Sequence, residues 1–185
     1  VGLRNFELLF TMDRKFPIAI ANTVVYTLLA APIGLVLALG LALLYNQNIF
    51  GRSIMRALIY VPLIVPPVAS SILWMWIFNP QIGLLNSLLA VFGIRGPAWL
   101  NDPAVVKYAL VIMAQWGVGG NVIPLLAALT DVPRHLYEAA EIDGASSWQK
   151  FLKVTLPMIS PTLLFIIIIN VNNSLQYFTE AYIVS

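Results

Sequence analysis

The sequence has 185 residues, of which 60% are hydrophobic and only 10% are charged. A soluble domain carries about 25% charged residues, so this composition predicts a membrane protein. A net charge of +2 without basic clusters gives no indication of nucleic-acid binding. There is no cysteine, which excludes disulfides and thiolate metal sites, and the single histidine, His135, makes a histidine-dependent site inside the membrane difficult to assemble.

The first part of the chain predicts two membrane spans. Residues 1–17 are too mixed to cross a bilayer, which needs roughly 20 apolar residues, so we predict a polar-faced entry segment. Residues 18–45 carry no charge and predict the first span, and residues 57–78 predict the second. The second contains Pro62, Pro66 and Pro67, which predict a bent helix, either a functional hinge or a static kink. Trp74 and Trp76 follow as expected interface anchors.

A long connection over residues 79–107 separates these spans from the next one. Its leucines over residues 83–92 fall on one side, which predicts a short helix lying in the membrane interface. Residues 108–130 then predict a third span, interrupted by glycines that include Gly117. A broken membrane helix can expose polar groups to a substrate, and Asn121 lies at this break.

The longest polar interval between apolar segments is 136–157, LYEAAEIDGASSWQKFLKVTLP. We predict a helix over residues 136–143 that Gly144 ends. A second helix then begins near Ser146, whose spacing to Gln149 is that of a capping box. Trp148 and Phe151 lie on its apolar face with Leu152, and we expect Pro157 to bend the chain into a fourth span over residues 155–178.

This interval resembles the EAA signature of the membrane-spanning subunits of bacterial ATP-binding-cassette importers. The matching residues are Glu138, Ala139, Ala140, Gly144, Val154, Leu156 and Pro157, with Val154 in place of the usual isoleucine. The residues around this signature also resemble the corresponding sequences of carbohydrate-type permeases. FNPQIGLLNSLL and PAWLNDP in the long connection also resemble the external loop of those permeases, where a binding protein docks.

The resemblance implies an all-α, polytopic transmembrane helix bundle of the type I importer fold in the bacterial inner membrane. The 185 residues would form one permease domain, a fragment lacking one helix at each end. The 136–157 interval would be the cytoplasmic coupling element, with helices over residues 134–155, although an amphipathic helix on the membrane surface is the alternative. The implied coupling residues are Glu138, Ala139, Ala140, Asp143, Gly144, Trp148, Phe151, Leu156 and Pro157.

Orientation follows from the resemblance alone. If the coupling interval is cytoplasmic, residues 46–56 are cytoplasmic too, and residues 1–17 and 79–107 lie outside. Lysine and arginine then number five on each side, so the positive-inside rule decides nothing.

Polar residues near the end of the last span suggest a solute site. Asn170, Asn173, Tyr177 and Glu180 are spaced 3, 4 and 3, which predicts one stripe on a helix. Amides suit the hydroxyls of a sugar, and the Asn-x-Asn-Asn pattern resembles the larger permease of maltose importers. The alternative is hydrogen bonding between helices. The candidate substrate residues are Asn170, Asn173, Tyr177, Asn121 and Gly117.

The resulting hypothesis is a permease subunit of an importer for a sugar or related polyol, working by alternating access. The sequence has no G-x-x-x-x-G-K-S/T loop, so ATP chemistry would come from a separate ATPase dimer. Further expected partners are a second permease subunit, an extracytoplasmic solute-binding protein and the lipid bilayer, with no cofactor or metal and no enzymatic activity. Alternatives are a related permease for another solute, an intramembrane enzyme and a channel.

Overall fold

The structure is a computed structural model that describes residues 2–47, 50–177 and 179–184, apart from the side chain of Arg52. Over these ranges the chain forms α-helices, joined by turns, and no strand. The helices are α1 (Arg4–Thr11), α2 (Lys15–Asn46), α3 (Arg52–Ile64), α4 (Pro67–Ile77), α5 (Leu84–Val91), α6 (Val106–Ala114), α7 (Gly119–Thr130), α8 (Arg134–Ile142), α9 (Ser147–Lys150), α10 (Leu156–Leu175) and α11 (Thr179–Val184). The all-α fold expected from the sequence is therefore confirmed.

Two helices are long and apolar enough to cross a membrane, namely α2 and the helical run that contains α10. Two further pairs, α3 with α4 and α6 with α7, pass the same length and composition test together, although a short break interrupts each pair. The described residues thus supply two spans, or up to four if each interrupted pair crosses the membrane.

The break between α3 and α4 is sharper than the sequence predicted. A single bent helix was expected over residues 57–78, but α3 ends at Ile64. Val65 is extended, with φ −75° and ψ 124°, because the ring of Pro66 disfavours helical backbone in the residue before it. The break between α6 and α7 falls at the predicted glycines, where a 3₁₀ turn occupies Gln115–Gly117.

The last span begins and ends differently from the regular helix expected there. It was predicted over residues 155–178, of which residue 178 lies outside the described ranges, and α10 itself occupies Leu156–Leu175. Asn172 and Asn173 just before this end are weak helix formers, because their side chains compete for backbone hydrogen bonds. Pro157, where a bend was expected, does not interrupt the helical run that starts at Ser147. A π-helical turn at Phe151–Thr155 joins α9 directly to α10, and we attribute the smooth entry to this wider turn, which accommodates the proline ring.

One compact unit comprises Val1–Ala31, Pro67–Met113 and Val171–Ser185. Its long connection is held by Asn86, whose Nδ2 donates to the carbonyls of Pro80 and Pro97 at 3.1 and 3.2 Å. The indole of Trp99 donates to Asn86 Oδ1 at 2.7 Å. Asn86 therefore fixes both ends of the connection that contains α5.

Trp74, in the same unit, differs from its prediction as an interface anchor. It is buried, because its ring stacks on Phe78 one helical turn later with ring centroids 5.0 Å apart. Phe78 also contacts Trp99, with centroids at 5.7 Å. Trp76 is the exposed member of the predicted pair.

The second compact unit comprises Pro32–Pro66 and Ala114–Asn170. Its core joins α2, α7 and α10, and the small Ala38 and Ala42 are fully buried where the helices approach. Small residues allow such close approach in membrane proteins. The backbones of α3 and α7 are in close contact at Gly119. A Cβ atom on this glycine would collide with the carbonyl oxygen of Ile59.

Candidate functional site

The coupling interval folds as the sequence predicted. Helix α8 ends at Ile142, and Gly144 has φ +75°, a left-handed conformation that L side chains rarely adopt. Ser146 begins the next helix with a capping box: Gln149 N–H donates to Ser146 Oγ at 3.3 Å, and Ser146 N–H donates to Gln149 Oε1 at 2.7 Å. The predicted turn and helix start are both confirmed.

The same interval presents a mixed acidic and apolar surface. Of the expected coupling residues, Glu138, Ala139, Asp143, Gly144, Trp148 and Pro157 are exposed, while Ala140, Phe151 and Leu156 are half-buried. Trp148 is 66% exposed and stacks on Phe151 with ring centroids 5.4 Å apart. Ile142 is 87% exposed beside the turn. The interval thus exposes both apolar and acidic side chains.

Two side-chain contacts hold the interval together. Lys150 Nζ lies 2.5 Å from Glu141 Oε1, an ion pair that joins α8 and α9 across the turn. The hydroxyls of Tyr137 and Thr155 are 2.9 Å apart. The second contact was not predicted, because a tyrosine and a threonine 18 positions apart give no recognisable pattern.

Amide side chains gather in the second unit. Asn121 Nδ2 donates to Asn170 Oδ1 at 2.9 Å, which brings two predicted substrate residues together. A Cβ on Gly34 would lie 3.0 Å from Gln115 Oε1 and 3.9 Å from Asn170 Nδ2. We call Gln115, Asn121 and Asn170 the amide cluster. The sequence analysis did not identify Gln115 and Gly34 as site residues. The only indication of them in the sequence was an amide and a glycine within otherwise apolar segments.

Gly117 is exposed, and no heavy atom lies within 4 Å of the position that its Cβ would take. The space beside this glycine is therefore open. The backbone here belongs to the 3₁₀ turn and not to a regular α-helix.

The predicted polar stripe is not continuous. Because α10 ends at Leu175, Tyr177 and Glu180 do not extend the helical face that carries Asn170 and Asn173. In the first unit, Asn173 is exposed, and the half-buried Tyr177 ring stacks on Tyr26 with centroids 4.6 Å apart. One face of the Tyr177 ring is thus covered by the chain itself.

Among the residues that the structure describes, no three histidine, cysteine, aspartate or glutamate side chains come close enough to hold a metal ion. The three side chains of the amide cluster offer neutral hydrogen bonding. Amides donate and accept at once, which suits uncharged hydroxyl groups.

Known proteins resemble this chain over nearly all of its length. The chain is 35% identical over 187 residues to the probable ABC transporter permease protein YesP of Bacillus subtilis, covering 100% of this chain and 60% of that protein. It is 33% identical over 186 residues to the trehalose/maltose transport system permease protein MalF of Thermococcus litoralis, covering 100% and 63%. The sn-glycerol-3-phosphate permease UgpA of Yersinia enterocolitica is 35% identical over 171 residues, covering 92% and 57%.

Solved structures agree. A bacterial ABC transporter involved in the import of the acidic polysaccharide alginate superimposes with a TM-score of 0.84 and 26% identity, covering 100% of this chain and 68% of that one. The chain spans about 60% of the length of the curated relatives it matches. The family described as binding-protein-dependent transport system inner membrane component matches residues 19–185. This chain therefore belongs to the family of inner-membrane components of binding-protein-dependent transport systems.

Proposed function

We propose that the protein containing this chain is the membrane-spanning subunit of an ATP-driven importer for a sugar or related polyol. The observation that carries the proposal is the coupling interval, in which an EAA sequence forms two helices around Gly144 and exposes Glu138 and Trp148. An exposed carboxylate and an exposed aromatic ring in the same interval suit a partner cleft with a basic and an apolar part. We assign that cleft to an ATPase dimer.

The proposed topology has four spans, over residues 18–45, 57–78, 108–130 and 155–178. It is supported by the two long apolar helices and the two interrupted pairs. With the coupling interval in the cytoplasm, the connection at 79–107 lies outside, where an extracytoplasmic binding protein would dock. A second permease subunit would complete the pathway.

The solute class is proposed from chemistry and from relatives together. The amide cluster offers neutral donors and acceptors, which recognise hydroxyl groups. The relatives include permeases for trehalose/maltose, lactose and arabinooligosaccharides. Gly117, Asn121, Asn170, Asn173 and Tyr177 remain the proposed substrate residues, with Gln115 added.

Uptake by the reconstituted complex tests this proposal. The full-length protein would be incorporated into proteoliposomes with its permease partner, its ATPase and its binding protein. Radiolabelled disaccharides, glycerol phosphates and amino acids would be compared with ATP inside the vesicles. ATP-dependent uptake of a sugar supports the proposal. ATP-dependent uptake of an amino acid alone would show that the protein is an importer subunit but that the proposed solute class is wrong. If no compound is taken up, the proposed transport function is contradicted.

A further inference from the structure

The hydroxyl contact between Tyr137 and Thr155 connects α8 to the residue that directly precedes α10. Tyr137 lies in α8, one residue before Glu138, and Thr155 is the last residue before α10. Their oxygen atoms are 2.9 Å apart. The turn between them exposes Asp143, Gly144 and Ser146.

Thr155 is a buried end of this contact. Its side chain is only 6% exposed, and Tyr137 packs against the core that joins α2, α7 and α10. Deleting either hydroxyl leaves the other oxygen without this partner at a position where water has little access. The contact is therefore a specific attachment, unlike the ion pair of Glu141 and Lys150, which lies at the surface.

The π-helical turn sets the direction of the Thr155 side chain. This turn covers Phe151–Thr155 and contains more residues per turn than an α-helix. One additional residue in a helix rotates the following side chains by about 100° relative to the preceding ones. The side chains from Thr155 onwards are therefore rotated about the helix axis relative to Trp148 in α9. The two sets of side chains can contact different neighbours.

We propose that Tyr137 and Thr155 are positioning residues that transmit movement of α8 to α10. The inference rests on the proposed function, because the movement would originate in the ATPase that holds α8. When the ATPase displaces α8, the hydrogen bond draws the start of α10 with it, and α10 carries Asn170 of the amide cluster. Without the bond, α8 moves while α10 lags. ATP is then hydrolysed without a matching opening of the solute pathway.

The test measures solute molecules taken up per ATP hydrolysed in the reconstituted full-length complex. Tyr137→Phe and Thr155→Val each remove one hydroxyl while keeping nearly the same shape. Each should lower this ratio about fivefold, the effect of losing one hydrogen bond, while ATP hydrolysis and the amount of assembled complex stay near wild type. Thr155→Ser retains the hydroxyl and should restore the ratio.

Two matched controls remove hydroxyls that do not join α8 to α10. Thr130→Val deletes a hydroxyl bonded only to carbonyls of its own helix, and Tyr108→Phe alters an exposed tyrosine. Both controls should leave the ratio unchanged. The double variant Tyr137→Phe with Thr155→Val should be no worse than either single variant, because both remove the same bond.

Several outcomes would overturn the inference. A wild-type ratio in both single variants would do so, as would additive losses in the double variant or equal losses in Thr155→Ser and Thr155→Val. If complex assembly, ATP hydrolysis and solute uptake all fell together while uptake per ATP stayed constant, Tyr137 and Thr155 would have a purely structural role. Failure of the wild-type protein to bind any ATPase would instead overturn the proposed function, and the two failures are thus distinguishable.

Discussion

The coupling interval and the amide cluster lie in the same compact unit, but they are built in opposite ways. The coupling interval is held by contacts between residues close in sequence, such as the capping box of Ser146 and Gln149. The amide cluster depends on a bond between Asn121 and Asn170, which are 49 positions apart. The first exposes its charged groups to solvent, whereas the second keeps its amides half-buried and bonded to each other.

The difference in exposure between the two regions indicates what kind of partner each can bind. An exposed surface whose shape is fixed locally can receive a folded partner without rearrangement. In the proposed site, one hydrogen bond joins Asn121 Nδ2 to Asn170 Oδ1, and each half-buried amide has further donor and acceptor capacity. A solute with hydroxyl groups can bind these remaining groups, whereas an apolar solute would cover them without offering a hydrogen bond.

Gly144→Val should have the largest effect, because it attacks the local geometry of the coupling interval. A β-branched residue at φ +75° is strained by about 1–2 kcal/mol or more. The expected result is loss of ATPase binding and of uptake, with normal membrane insertion, measured by co-purification and transport. Gly40→Val in α2 is the matched control, since its φ is not positive and no heavy atom lies within 4 Å of its Cβ position. Unchanged uptake in Gly144→Val would contradict the coupling assignment.

Asn170→Leu should have an intermediate effect on the amide cluster. It leaves Asn121 without its partner and should raise the solute concentration for half-maximal uptake about tenfold, equivalent to roughly 1.4 kcal/mol. Asn173→Leu, at an exposed position, should raise it less. Uptake kinetics with purified complexes are the measurement. A loss of thermal stability with unchanged half-maximal concentration would assign the amides to helix packing alone.

Gly34→Ala should have the smallest effect. Its new Cβ would approach Gln115 Oε1 to 3.0 Å and displace that amide by a few tenths of an ångström. We expect about a twofold to threefold rise in the half-maximal concentration, because slight overpacking costs a fraction of the roughly 1–3 kcal/mol seen for added methylenes. Gly40→Ala in the same helix meets no neighbour and is the control. Equal behaviour of the two variants would remove Gln115 from the proposed site.

Local rules predicted the coupling interval well. The capping residues, the glycine at positive φ and the helix lengths all depend on neighbours in sequence. The same rules located the break near Gly117. Within the span predicted over residues 155–178, α10 ends at Leu175, just after the weak helix formers Asn172 and Asn173.

Long-range contacts could not be predicted. The bond between Asn121 and Asn170, the approach of Gln115 to Gly34 and the contact of Tyr137 with Thr155 all join separate elements of the fold. Such pairs depend on how the helices rotate about their axes, which apolar segments of almost uniform hydrophobicity leave undefined. The stacking of Tyr26 on Tyr177 was missed for the same reason.

Co-purification with an ATPase tests the central claim most directly. The full-length protein would be purified with candidate ATPases encoded in its own genome, comparing wild type with Glu138→Lys. Glu7→Lys, an equally exposed charge reversal in α1, is the matched control. We predict that wild type and Glu7→Lys bind an ATPase and that Glu138→Lys loses it. A wild-type protein that binds no ATPase, or a Glu138→Lys variant that binds as well as wild type, would contradict the account.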